Sequence, residues 1–197
     1  VLNAPDGLAA GAGKLYIHTL PRSMRPRTVV TRNLRVLEAF RGELDGPGVL
    51  KPVRGFGGKG VRLVRRRETL RLDGAFARSR GTPDGYLVFQ EYLEGAEQGD
   101  KRILLVEGEP VGCYTRMRKP GEFRHNVHVG GRAEPSELDD ADRAICDALA
   151  PTLRRDGIFL AGLDVIDRRA VEVNVVAPGG IANIERTSGR AVAPGII

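Results

Sequence analysis

The chain has 197 residues, enough for one domain or two closely joined lobes with a substantial buried core. With 41% apolar and 28% charged residues it reads as a soluble globular protein, and no apolar run approaches the roughly 20 residues that span a bilayer. The net charge of +6 comes from scattered arginines with only 5% aromatics, which argues against a nucleic-acid interface; the densest run, Arg65-Arg66-Arg67, reads as a solvated turn.

Residues 1–13 are small and rich in Gly and Ala, the composition of a loop. Lys14 to His18 begins a short helix or strand, and Thr28 to Thr31 reads as a strand. Leu34, Leu37, Phe40 and Leu44 recur at helical spacing, predicting a helix over 33–44 that Gly46-Pro47-Gly48 stops. The stretch from Val49 to Val64 then runs strand, glycine turn, strand. Gly55, Gly57 and Gly60 match a GxGxxG spacing, but no amphipathic helix follows, as a dinucleotide loop needs, and no Gly-Lys-Ser/Thr is present. What remains is a flap whose backbone N–H groups could cover a polyphosphate, with Lys51 supplying a point charge at its entrance. A plain hairpin with a surface lysine is the alternative.

A second amphipathic helix is expected over 70–80, then a strand from Tyr86 to Leu93. Ile103 to Val106 and Pro110 to Tyr114 form a hairpin around Glu107-Gly108-Glu109. Met117 to Arg132 is polar and basic, without an apolar period, so a mobile loop is expected. Ser136 is expected to cap a helix reaching about Arg155, with Gly157 as its stop. Strands follow over 158–166 and 170–176, and the Gly/Pro-rich tail from Ala177 is expected to be weakly structured.

Those last two strands carry an acidic pattern. Glu172 and Asn174 share a strand face. If Asp167-Arg168-Arg169 is a three-residue turn, Asp164 sits opposite Glu172. Facing carboxylates repel unless a cation joins them, and Asp, Glu and Asn are the hard oxygen donors that Mg²⁺ takes beside phosphates. A solvated polar face is the alternative. Cys113 and Cys146 form no metal or redox spacing and read as buried thiols of a reducing, cytoplasmic compartment. His18, His125 and His128 read as lid or surface residues.

The order of motifs resembles the ATP-grasp domain of prokaryotic glutathione synthetase. The residues that carry the resemblance are Val29 to Asn33, Val49 to Pro52, Gly57-Gly58, Gln90 to Leu93, Gly99 to Arg102, Gly108 to Val111, Gly130 to Arg132, Gly162 to Asp164 and Glu172 to Asn174. It implies an α+β fold of two lobes with ATP between them: a small lobe over 14–93 with the glycine flap, and a large lobe over 94–197 with a lid and the metal hairpin. Residues 1–13 would be a remnant or linker, because the substrate domain that precedes this region in the family is not recognised.

The resemblance also implies roles. Lys14 and Lys51 would bind phosphates beneath Gly57 and Gly58, and the backbone of Gln90, Glu91, Tyr92 and Leu93 would receive adenine. Asp100 and Lys101 would lie along the nucleotide. Arg102, Arg116 and Arg124 would serve the acyl phosphate and substrate carboxylates. Met117 to Arg132 would be the lid, with Asn126 near the phosphates. Asp164, Glu172 and Asn174 would hold Mg²⁺, for which Mn²⁺ can substitute.

The implied reaction joins gamma-glutamylcysteine to glycine through an acyl phosphate, with small-molecule partners, no nucleic acid or membrane, and a homo-oligomer allowed. The chain departs from the pattern at Arg54, at His125, in Val176-Ala177-Pro178 after the metal strand, and in lacking a recognisable last helix. Two other readings stay open: a ligase for a different acid and amine, and a non-catalytic Mg-ATP-binding fragment.

Overall fold

The computed structural model describes residues 2–55, 57–70, 85–118 and 131–195. It divides into two compact units, Pro26–Leu93 and Val1–Arg25 with Glu94–Ile197. Residues 14–25, expected in the small lobe, belong to the second of these units, because Tyr16, Ile17 and Leu20 are buried in its core. Residues 2–13 are built into the same unit rather than linking to it. Helix α1 (Pro5–Gly11) buries Gly7 and Gly11. The Asn3 amide donates to the Leu160 and Val175 carbonyls at 2.8 and 2.7 Å and accepts from the Leu160 N–H at 2.7 Å.

In Pro26–Leu93, strands β1 (Thr28–Thr31), β2 (Gly48–Pro52), β3 (Arg62–Val64) and β4 (Leu87–Glu91) form an antiparallel sheet in the order β1-β4-β2-β3. Helix α2 (Leu34–Gly42) begins where Asn33 Oδ1 accepts the Arg35 N–H at 2.9 Å. It delivers Leu37 to a core with Leu50, Val64, Leu87 and Phe89. Gly48 lies under the Phe89 ring, where a Cβ would come within 2.2 Å of Cζ. Between β2 and β3, Gly55, Gly57, Gly58 and Gly60 have φ of 141°, 64°, 69° and 78°, a run of left-handed backbone that glycine adopts at little cost. The strand–glycine turn–strand reading therefore describes this stretch. The helix expected over 70–80 falls, from 71 on, outside the described residues.

The other unit holds a five-stranded antiparallel sheet, in the order β7-β6-β5-β8-β9. Its strands are β5 (Asp100–Val106), β6 (Glu109–Met117), β7 (Arg132–Pro135), β8 (Leu160–Ile166) and β9 (Arg169–Asn174). One face packs Ile103, Leu105, Leu163 and Val173 against helix α3 (Asp140–Arg155) through Ile145, Leu149 and Leu153. On the opposite face Leu104, Tyr114 and Leu160 meet Ile184 of helix α4 (Ile181–Ser188). Lys14 to His18 leads into a 3-10 turn, Tyr16–Thr19, which partly buries His18 instead of leaving it on a lid or the surface.

Three local expectations are corrected. Helix α3 is capped by Asp139, not Ser136: Asp139 and Asp142 form a reciprocal capping box that satisfies two end N–H groups at once. Gly157, at φ 64°, ends the helix as expected, with Ile158 N–H bonded to the Leu153 carbonyl. Asp164 does pair with Glu172, but through a two-residue turn of Asp167 and Arg168, both at positive φ, and a bulge after Asp164 that absorbs the extra residue. The tail contains α4, which starts after Gly180, seats Ile184 over Gly112 and ends at left-handed Gly189. No helix among the described residues is long and apolar enough to cross a membrane.

Candidate active site

Strand alternation gathers Asp100, Arg102, Arg116, Asp164, Glu172 and Asn174 on one sheet face. Across neighbouring strands Asp100 pairs with Arg116, Arg102 with Asp164, and Asp164 with Glu172. Arg102 places a two-pronged fork on Asp164: Nε donates to Oδ1 and Nη2 to Oδ2 at 3.0 Å. Its remaining Nη1 donates to the Gly179 carbonyl at 3.1 Å. Gly162 makes room for this fork, since a Cβ there would stand 2.9 Å from Nη1. Arg116 Nη2 bridges Asp100 Oδ2 at 2.6 Å and Asp164 Oδ2 at 2.9 Å. Asn174 Nδ2 donates to Asp164 Oδ2 at 3.3 Å, and Lys14 Nζ lies 3.4 Å from Glu172 Oε1.

Asp100, Arg102, Arg116 and Asp164 are all buried. Burial works against the charge of Asp164, but Arg102 and Arg116 outweigh it and hold its carboxyl below the usual range. Asp100 goes the other way: burial pushes it up to about 7, against the pull of Arg116. Asp100 Oδ1 and Arg116 Nε are buried and find no hydrogen-bond partner among the described residues. Such orphaned groups cost stability unless a ligand or water satisfies them.

Lys101 is not part of this cluster. It lies between Asp100 and Arg102 on β5, so its side chain takes the opposite face, where Nζ binds Asp142 and the Glu137 carbonyl, the latter at 2.9 Å. That contact ties the sheet to the capped end of α3. Lys101→Met should therefore cost about 2 kcal/mol of folding stability, below the figure for a fully buried pair, and leave ATP affinity unchanged. Urea denaturation and calorimetry check the two halves; a loss of ATP affinity in a stably folded variant would return Lys101 to the nucleotide.

In the other unit, Lys51 Nζ donates to Gln90 Oε1 at 2.6 Å across a diagonal of the β2–β4 pair, and Gln90 Nε2 donates to Thr28 Oγ1 at 3.3 Å. The N–H groups of Glu91 and Tyr92 are taken by the Arg27 and Pro47 carbonyls, so in this arrangement they do not serve as donors to a purine. Leu93 is buried, while no described residue outside its chain neighbours lies within 4 Å of where a Cβ of Gly57 would stand. Arg124, Asn126 and the lid from 119 to 130 lie outside the described residues. Sequence reasoning missed Gly179, whose carbonyl holds Arg102, and Asp142. The second was signalled by the alternation of Asp100-Lys101-Arg102.

The family model for the prokaryotic glutathione synthetase ATP-grasp domain matches residues 13–189. The chain belongs to this family. It is 39% identical over 189 residues to a glutathione synthetase of Thermosynechococcus vestitus, covering 96% of this chain and 58% of that protein. It is 41% identical over 199 residues to one of Synechococcus elongatus, covering 98% and 58%. The chain thus spans about 58% of the length of these glutathione synthetases.

The fold matches the ATP-grasp ligase PsnB complexed with a minimal precursor, with a TM-score of 0.67 at 20% identity over 100% of this chain and 62% of that one. It also matches the D-alanine–D-alanine ligase of Bacillus anthracis complexed with ATP, with a TM-score of 0.59 at 17% identity over 98% and 64%. The α+β fold is that of ATP-grasp ligases. Among the described residues no three His, Cys, Asp or Glu side chains cluster as a metal site.

Proposed function

We propose that this chain is an ATP-dependent carboxylate–amine ligase domain that joins gamma-glutamylcysteine to glycine through an acyl phosphate. The observation that carries the reading is the convergence of Lys14, Arg102 and Arg116 on Asp164 and Glu172 on one sheet face. The carboxylate of the acid attacks the γ-phosphoryl group of ATP, and the amine then displaces phosphate from the acyl phosphate. Positioning and neutralisation of spreading negative charge supply the catalysis.

Arg102 and Arg116, fixed by buried carboxylates, offer cationic donors that cost no reorganisation during the reaction. Asp100 Oδ1 and Arg116 Nε offer an acceptor and a donor to ligand groups. In Pro26–Leu93, Lys51 and the glycine turn are the proposed phosphate-binding groups. No thiol nucleophile competes with this scheme: burial raises the Cys113 thiol and pushes Cys146 up to about 12. Buried free thiols also suit a reducing, cytoplasmic location.

The donor set fits Mg²⁺. Asp164, Glu172 and Asn174 supply hard oxygens, and at the partly exposed Glu172 the lysine now paired with it would yield its place to the ion. When bound, the ion would neutralise phosphate oxygens beside these residues. ADP release should require ATP, gamma-glutamylcysteine and glycine together. ADP release that ignores both acid and amine would overturn the ligase reading. The exposed Val176, in a stretch where the family pattern leads one to expect hydroxyls, favours a second reading, a different acid or amine, which substrate profiling in the same assay separates.

A further inference from the structure

We infer that Lys14 stands in for the divalent cation at Glu172 and makes metal binding conditional on the nucleotide. This rests on the proposed Mg-ATP site. Both carboxylates of that site hold protein cations, but not in the same way. Asp164 is buried and gripped by the Arg102 fork, by Arg116 and by Asn174, so its partners are geometrically fixed. Glu172 is the exchangeable one. Its side chain is 30% exposed, and Lys14 meets one of its oxygens at 3.4 Å, the long limit of a hydrogen bond.

The backbone beside Lys14 is anchored. Tyr16 and Ile17 sit in the core, and the Tyr16 hydroxyl donates to Asp156 Oδ2 at 2.7 Å. Lys14 is itself only 8% exposed, so the exchange turns a buried ammonium on its own stem from one partner to another.

A free divalent ion must compete with Lys14 for Glu172. Phosphate oxygens draw the ammonium away and free the carboxylate, so nucleotide and metal strengthen each other through one side chain. This orders assembly: the ion enters with the nucleotide rather than before it. Glu172 then faces positive charge in both states, lysine in one and the ion in the other.

The test is Mn²⁺ binding followed by electron paramagnetic resonance, with and without ADP. Wild type should bind Mn²⁺ weakly alone and more tightly with ADP. Lys14→Met should bind Mn²⁺ alone about tenfold more tightly than wild type, within the usual range of site-to-site coupling. Lys14→Gln should show the same gain and guards against a folding defect in the first variant. Adding Glu172→Gln to either should remove the gain. If Mn²⁺ alone binds no more tightly to the folded Lys14 variants, or if the gain survives Glu172→Gln, the exchange is wrong while the Mg-ATP reading stands. If wild type fails to bind Mn²⁺ even with ADP, that reading fails and the exchange with it.

Discussion

Arg102→Leu should remove about 3–5 kcal/mol of folding stability, the cost of stranding one partner of a buried ion pair. Asp164 is 3% exposed and takes two of the Arg102 donors, while the third holds the Gly179 carbonyl ahead of α4. Without the fork, Asp164 keeps Arg116 and Asn174 but loses the partner that matches both its oxygens. Arg102→Lys should not restore the loss, because one ammonium cannot reproduce a two-pronged contact.

The loss should also depend on pH with a definite sign. Asp164 is held below its unfolded value, so its contribution is present above that value and is lost as pH falls through the folded one. The gap between wild type and Arg102→Leu should therefore be widest near neutrality and narrow below about pH 4. Urea denaturation at several pH values reads this directly. A loss under about 1 kcal/mol, as for surface pairs, would contradict the buried-fork account.

Glu172→Gln should leave the ligand-free protein nearly as stable as wild type and abolish its stabilisation by Mg-ATP. The sequence pattern suggests that Asp164 and Glu172 repel across the hairpin and that removing one charge relieves the strain. The structure changes that balance: Arg102 and Arg116 answer Asp164, and Lys14 answers Glu172. Lys14 is buried, but Glu172 is 30% exposed, the contact is long at 3.4 Å and a glutamine still offers the ammonium an oxygen, so the loss is about 1 kcal/mol. Ligand linkage is larger, about 2.7 kcal/mol at a hundredfold excess over Kd, and depends on Glu172 if it holds the ion. Four melting curves, each protein with and without Mg-ATP, separate the two effects. Equal gains in both proteins would remove Glu172 from the metal site and leave its pair with Lys14 a structural contact.

Much of the polar site was legible because strand alternation is a strong rule. The pairing of Asp164 with Glu172 and the shared face of Glu172 and Asn174 follow from a period of two. The same rule, applied to Asp100-Lys101-Arg102, separates Lys101 from its neighbours; grouping Lys101 with Asp100 along the nucleotide overlooked it. The hairpin turn was harder, because a tighter turn with a bulge produces the same pairing as a three-residue turn.

Helix α4 was illegible for a different reason. It has eight residues between two glycines, too short for periodicity to stand out, and its stability comes from Ile184 packing over Gly112 and Tyr114. The placement of residues 2–25 with the later unit rests on contacts more than a hundred residues distant along the chain, such as Asn3 to Leu160 and Tyr16 to Asp156, which no local pattern reveals.

The central claim is that an acid carboxylate takes the γ-phosphoryl group of ATP and the amine displaces phosphate from the acyl phosphate. It is tested most directly with gamma-glutamylcysteine carrying ¹⁸O at both oxygens of its cysteinyl carboxylate, incubated with ATP, Mg²⁺ and glycine, with the released phosphate read by ³¹P NMR. The account predicts one ¹⁸O in each phosphate formed, carried over as the amine expels it from the acyl phosphate. Product amide accompanied by unlabelled phosphate would contradict it.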